Sequence, residues 1–213
     1  MSLTRIYNPK AFTGNISASN FANTTLDNIT SLSNADTGVM KLVSSSTITS
    51  GTSSVEFTLG DKKEYKFFFV DIHPATDSVD LMFNFSTDNG SNYNVVKTSA
   101  YFGAYHNEAD SSAGIFYATA NDLAQSTANQ QLFYDIGNNN DQTASGFLHL
   151  FNPSSTTFVK HFIGRGSAYN AADFANDDFI AGYANTTSAL TNIKFQMSSG
   201  NIDDGKILMF SVE

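Results

Sequence analysis

The chain of 213 residues contains no Cys and no Trp, and only 3 Pro. Charge is scarce: Asp, Glu, Lys and Arg together make up 15%, against about 25% in an average globular chain. The absence of Cys excludes a disulfide framework, a thiolate metal site and a cysteine nucleophile. Lys and Arg number 11 against 20 Asp and Glu, for a formal net charge of −9. So few cations leave little to displace counterions from a phosphate backbone, which argues against a nucleic-acid partner. No long apolar run is present. Residues 67–70, Phe-Phe-Phe-Val, are far too short to span a bilayer, so no membrane partner is expected. The first residues, Met1 to Pro9, lack an apolar stretch followed by a small-residue cleavage site. The expectation is a protein assembled and used without export.

What is present is aromatic and polar. There are 19 Phe and 9 Tyr. Ser, Thr, Asn and Gly fill positions where soluble proteins commonly carry Lys and Glu. These residues favour turns and extended chain over helix interiors. The composition predicts an all-β fold with polar loops.

The chain divides into an arm, residues 1–38, and a body, residues 39–213. In the first segment single hydrophobes are scattered among Asn, Ser and Thr, and neither a period of 2 nor one of 3.6 persists. One reading is an unanchored leader. The other is an extended docking arm. Its anchors would be Ile6, Tyr7, Phe12, Ile16, Phe21 and Leu26, which would become ordered when laid on a neighbouring subunit.

From residue 39 the pattern is one of strands. Val79, Leu81, Phe83 and Phe85 alternate with polar or flexible residues, the mark of a half-buried strand. Asn89-Gly90 then predicts a turn, with residues 93–97 returning as the partner strand. A second hairpin is predicted between 147–151 and 158–163, and a third between 193–197 and 207–212. Further strands are expected over 41–49, 54–59, 65–72, 100–106, 114–119, 131–136 and 179–184. One short helix is expected over 121–128. Ten or more strands predict an antiparallel β-sandwich, with a jelly roll as the expected topology.

Candidate chemistry is sparse. A five-residue loop in the second hairpin would set His149 opposite His161. A cross-strand His pair can ligate a metal, but no third ligand is fixed by spacing, and hydrogen-bonded imidazoles are the favoured reading. Asp77 and Asp80, then Asp173, Asp177 and Asp178, then Asp203 and Asp204 form loop clusters. They match no calcium loop, and nothing raises one pair to the status of glycosidase acids. There is no Gly-x-Ser-x-Gly and no phosphate-cradling Gly-x-x-x-x-Gly-Lys-Ser/Thr. No catalytic residue, cofactor or metal is therefore expected. Tyr101, Tyr105, Tyr117, Tyr134, Tyr169 and Tyr183 lie near predicted strand ends or loops, and Tyr101, Tyr105, Tyr169 and Tyr183 are the leading candidates for a ligand face. They could form a sugar-binding face or a subunit interface, or simply pack at the core's edge.

Several segments together carry a resemblance: residues 122–128 (Asp-Leu-Ala-Gln-Ser-Thr-Ala), 152–162, 179–183 (Phe-Ile-Ala-Gly-Tyr), 185–189 (Asn-Thr-Thr-Ser-Ala) and 198–205 (Ser-Ser-Gly-Asn-Ile-Asp-Asp-Gly). Over roughly residues 39–213 the chain resembles a family of β-rich structural proteins of tailed phages of marine bacteria. The Gly-Asn-Ile-Asp-x-Gly turn of that family is matched at 200–205. The last segment, 206–213, departs from the family's Tyr-Gly-containing tail. The resemblance implies a non-enzymatic virion component, either a capsid decoration or a tail adaptor or fibre part, assembled in the host cytoplasm. Its partners would be copies of itself and neighbouring virion proteins. The alternatives are a receptor- or glycan-binding module that meets a host surface glycan and, behind it, a glycan depolymerase.

Overall fold

A computed structural model describes residues 40–212. The arm residues Ile6, Tyr7, Phe12, Ile16, Phe21 and Leu26 lie outside that range. Twelve strands follow in chain order: β1 (Met40–Ile48), β2 (Val55–Thr58), β3 (Glu64–Pro74), β4 (Val79–Ser86), β5 (Lys97–Asn107), β6 (Ala113–Tyr117), β7 (Gln130–Ile136), β8 (Ala144–Phe151), β9 (Lys160–Tyr169), β10 (Phe174–Ala184), β11 (Asn192–Met197) and β12 (Ile202–Val212). They form two antiparallel sheets. The larger has the order β1-β12-β3-β8-β9-β10-β5-β6, and the smaller β2-β11-β4-β7. The fold is an all-β sandwich, as the composition and alternation predict.

The alternation explains the layering. In β9, Lys160, Phe162, Gly164, Gly166 and Ala168 face inward while His161, Ile163, Arg165 and Ser167 face out. In β3, Tyr65, Phe67 and Phe69 are buried and the residues between them are not. The inward phenylalanines interlock edge to face between the sheets. Phe195 lies 5.0 Å from Phe69 and 5.3 Å from Phe67, and Phe83 lies 5.3 Å from Phe162 at 87°. Each fully buried ring contributes about 1.5–3 kcal/mol from its area alone.

Three sequence expectations are corrected. β4 and residues 93–97 do not form a hairpin. The Asn89-Gly90 turn exists, with both residues at positive φ. However, β4 takes β11 and β7 as partners, and the chain crosses to the larger sheet as β5. β11 and β12 likewise lie in different sheets instead of pairing. Period-2 alternation shows which face is apolar. It does not show whether the next strand lies beside that face or across the core from it. The helix expected over 121–128 is absent, and no α-helix occurs among the described residues. Ser126 instead bridges to Lys97 through two backbone hydrogen bonds, 2.8 and 3.0 Å.

The β8–β9 hairpin forms, but His149 faces Ile163 across it, not His161. The loop is longer than the five-residue loop expected, because inward-facing Lys160 starts β9 while Phe158 stays in the turn, 67% exposed.

Candidate functional site

The larger sheet is wider than the smaller one. β7, at the edge of the smaller sheet, packs over β9 and β10. β6 and the far end of β5, from Gly103 on, extend past it, so that part of the inner face has no opposing strand among the described residues. That face carries the core's alternation outward as Tyr105 and Phe116, joined by Phe174 from β10. Under this overhang lies a cleft of about 590 Å³. Tyr105 and Phe116 are 6.2 Å apart, Tyr105 and Phe174 5.6 Å, and Phe116 and Tyr134 of β7 6.4 Å.

Two glycines let the rings lie flat on the sheet. A Cβ at Gly103 would stand 2.7 Å from the Phe116 ring, and one at Gly114 2.9 Å from the Tyr105 hydroxyl. The rings occupy the space that side chains at these positions would need.

The polar wall is held from behind. Asp135, at φ 54°, projects from the end of β7. Its backbone N–H donates to Asp80 Oδ1 at 2.9 Å, and its carboxylate accepts from the Ser78 hydroxyl and from Asn170 Nδ2 at 3.2 Å. Burial raises the Asp80 carboxyl above its usual range, against the opposing pull of the Asp135 N–H. Behind Tyr134, Asp178 is fully buried and accepts the Tyr134 N–H through Oδ2 at 2.9 Å. Burial pushes its carboxyl up to about 7. Asp178 Oδ1 and the Tyr101 hydroxyl are both buried and near one another, close enough to shift each other's titration but without the geometry of a full hydrogen bond. Burial, then the Asp178 charge, pushes the Tyr101 hydroxyl upward.

Of the six tyrosines singled out in the sequence, the structure brings three together at the cleft and disperses the other three. Tyr101 is wholly buried, so it cannot form part of an exposed sugar face. Tyr105, Tyr117 and Tyr134 line the cleft. Tyr169 borders a separate depression near His106, and its hydroxyl donates to Asp173 at 3.2 Å. Tyr183 sits on the outer face beside His161, 6.1 Å between rings. Sequence reading missed Phe116, Phe174 and Asn176. Their signal is register: Asn176 faces Tyr105, and Phe116 faces Gly103.

The other expected chemistry disperses. His149 bonds Glu64 at 2.9 Å and stacks near Phe151, and burial lowers its pKa. Asp77 accepts the Asn138 N–H, Asp177 holds Arg165 in a two-pronged pair, and Asp203 lies 3.5 Å from His73. Among the described residues no three His, Asp or Glu are placed to hold a metal ion.

The outer face of the larger sheet carries a second feature. In one register row stand Tyr117, Phe102, Phe179, Arg165, Phe147 and Phe68. Phe102 and Phe179 stack in parallel at 4.9 Å, and the Arg165 guanidinium lies 4.5 Å over Phe179. No other described strand covers this row.

Comparison with family models, curated proteins and solved structures gives no match.

Proposed function

We propose that this chain is a non-enzymatic virion structural protein on the exterior of a tailed phage. Its sandwich packs against other copies, and residues 1–38 dock it to neighbouring virion proteins, as a capsid decoration or as a tail adaptor or fibre component. The observation that carries the reading is the outer aromatic row. Phe, Tyr and Arg are the residues enriched at the centres of protein interfaces, and Lys and Glu are depleted there. The occupant proposed for this face is a second copy. The chain as a whole carries −9, but Arg165 on the row is neutralised by Asp177. Two copies can therefore meet here without opposing like charges.

The strand order lends a fold-level argument. Leaving out the pairs β5–β6 and β9–β10, the sheets read β1-β12-β3-β8 and β2-β11-β4-β7. We read this as an eight-stranded jelly roll with two inserted strand pairs. Jelly rolls recur in viral shells, an association by fold alone.

Sedimentation of the full-length chain tests the interface. An oligomer that Phe102→Glu with Phe179→Glu dissociates into folded monomers supports the reading, and a wild-type chain that stays monomeric at high micromolar concentration overturns it. Mass spectrometry of purified particles tests the location: the chain is expected among the virion proteins. A chain lacking residues 1–38 that binds particles as well as the full chain would remove the docking-arm role.

A further inference from the structure

We infer that the cleft under the sheet overhang is a binding site for a neutral saccharide. The inference is independent of the assembly role proposed above. It rests on three properties of the lining.

The first is the pairing of flat rings with unused hydroxyls. Tyr105, Phe116 and Phe174 form a wall that Tyr134 faces from β7. The C–H faces of a pyranose ring are apolar and stack on such surfaces, while its rim of hydroxyls needs groups that both donate and accept. The Tyr105 and Tyr134 hydroxyls and the Asn121 carboxamide line this cleft and make no side-chain hydrogen bond to any described residue. A phenol hydroxyl and a carboxamide each offer both functions. A purely apolar ligand would strand these groups.

The second is charge. Among the described residues no Lys, Arg or His lines the cleft, and its single carboxylate is Asp135. Phosphate, sulfate and uronate groups would meet a carboxylate with no cation to offset it. The Asp135 carboxylate is oriented by Ser78 and Asn170 and retains lone pairs for a sugar hydroxyl.

The third is preorganisation. The rings are seated by Gly103 and Gly114, and Asp135 is fixed through its N–H by Asp80 and through its carboxylate by Ser78 and Asn170. Binding then orders little further, which favours affinity. At about 590 Å³ the cleft has the size of a small-molecule site. It also lies where the inserted strands meet β7, so the sandwich core is complete without it.

The test is NMR titration of the full chain with two probe sets. One contains neutral gluco-, galacto- and manno-oligosaccharides, and the other their sulfated and uronic-acid counterparts. The expected result is saturable shifts of Tyr105, Phe116 and Tyr134 resonances with a neutral probe at millimolar concentration or below. Tyr134→Ala and the milder Tyr105→Phe and Asn121→Ala are then each expected to weaken binding, with Tyr134→Ala losing about tenfold. Thermal melts confirm that each variant is folded. The inference is overturned by no binding of any neutral probe, by binding only of the anionic set, or by neutral binding that all three folded variants leave unchanged.

Discussion

Lys97 and Lys160 stand on either side of Ala184 in a single register row across β5, β10 and β9, and both are fully buried. Neither has a carboxylate partner among the described residues. Lys97 Nζ donates to Asn84 Oδ1 at 2.6 Å and to the Val95 carbonyl at 2.7 Å. Lys160 Nζ donates to the carbonyls of Thr186 and Ser188 at 2.9 and 2.6 Å. Each ammonium therefore ties a connecting loop to the sandwich through neutral oxygens. Two strand spacings separate the two positions by roughly 10 Å. Burial lowers both pKa values, Lys97 to about 7.

Lys97 makes stability rise with pH on the alkaline side. The folded state gives up the Lys97 proton near 7, while the unfolded chain holds it up to its ordinary 10.5. Between these values the unfolded state binds more protons, so stability increases with pH across that window. Above it, the neutral amine still donates to both oxygens. Urea unfolding at pH 7 and pH 10 checks this. Wild type is expected to gain stability between the two, and Lys97→Met to lose most of that gain. At the alkaline end the variant also leaves Asn84 Oδ1 and the Val95 carbonyl without this donor, at a cost of about 1–3 kcal/mol.

Asp178 acts with the opposite sign on the acid side. Its carboxyl titrates near 3.8 in the unfolded chain and near 7 when buried. Its contribution is full below 3.8 and is lost as pH rises through 7. The amide of Asp178→Asn keeps an acceptor for the Tyr134 N–H and offers a donor toward the buried Tyr101 hydroxyl. Melting curves at pH 5 and pH 8 are expected to show the variant near wild type at the lower pH and more stable than wild type at the higher one. Equal destabilisation at both would mean that the charge is not what the site resists.

The glycines facing the core differ in what a methyl group would displace. Gly146 and Gly166 are register partners in β8 and β9, and the Phe133 ring from the opposite sheet lies in the trough between them. A Cβ at Gly166 would fall 2.0 Å from that ring, and one at Gly146 2.3 Å from the Arg165 carbonyl. Neither obstacle can move without shifting a sheet. Gly166→Ala is expected to destabilise by about 1–3 kcal/mol or more, as overpacking does. Gly114→Ala meets mainly the outer end of the Tyr105 ring, which can swing away. It should change stability far less while disturbing the cleft. Chemical denaturation of the two variants side by side measures the contrast.

The legible and illegible parts of this fold separate along physical lines. The alternation of Val79, Leu81, Phe83 and Phe85 reports a buried face directly, because burial follows side-chain direction, and all four are core residues. Pairing is not written in that alternation. β4 and β11 each have a neighbouring stretch of the same period, and the chain uses it in the opposite sheet both times. Lys97 and Lys160 read as surface residues because lysine usually is one. Lys160 is satisfied by carbonyls of the loop at 186–188, and Lys97 by the Asn84 side chain from the opposite sheet and the nearby Val95 carbonyl. The cleft was equally hidden. Tyr105, Tyr117 and Tyr134 stand out as aromatics near strand ends, but they meet one another and Phe116 only once β6 is registered on β5 and β7 ends above β10. Tyr101, four residues before Tyr105 on the same face, faces the core because β7 still covers the sheet at that point.

The outer row makes a prediction that separates folding from association. The Arg165 side chain is about half exposed and its partner Asp177 more than a third exposed. Solvent screens such a pair, so its contribution to folding is small, about 0–1 kcal/mol. At an interface the same guanidinium would be covered, sandwiched over Phe179 with its charge already paired. There truncation removes cation–π contact and leaves Asp177 buried without a partner. Arg165→Ala is therefore expected to leave the melting temperature of the dilute chain nearly unchanged while weakening self-association by about tenfold or more. Arg165→Lys should recover little, since a lysine cannot both bridge Asp177 with two donors and lie flat on Phe179. Sedimentation across a concentration series, run beside a thermal melt of the same samples, distinguishes the two effects. A loss of folding stability that tracks the loss of association would instead identify Arg165 as a residue that holds the sheet together.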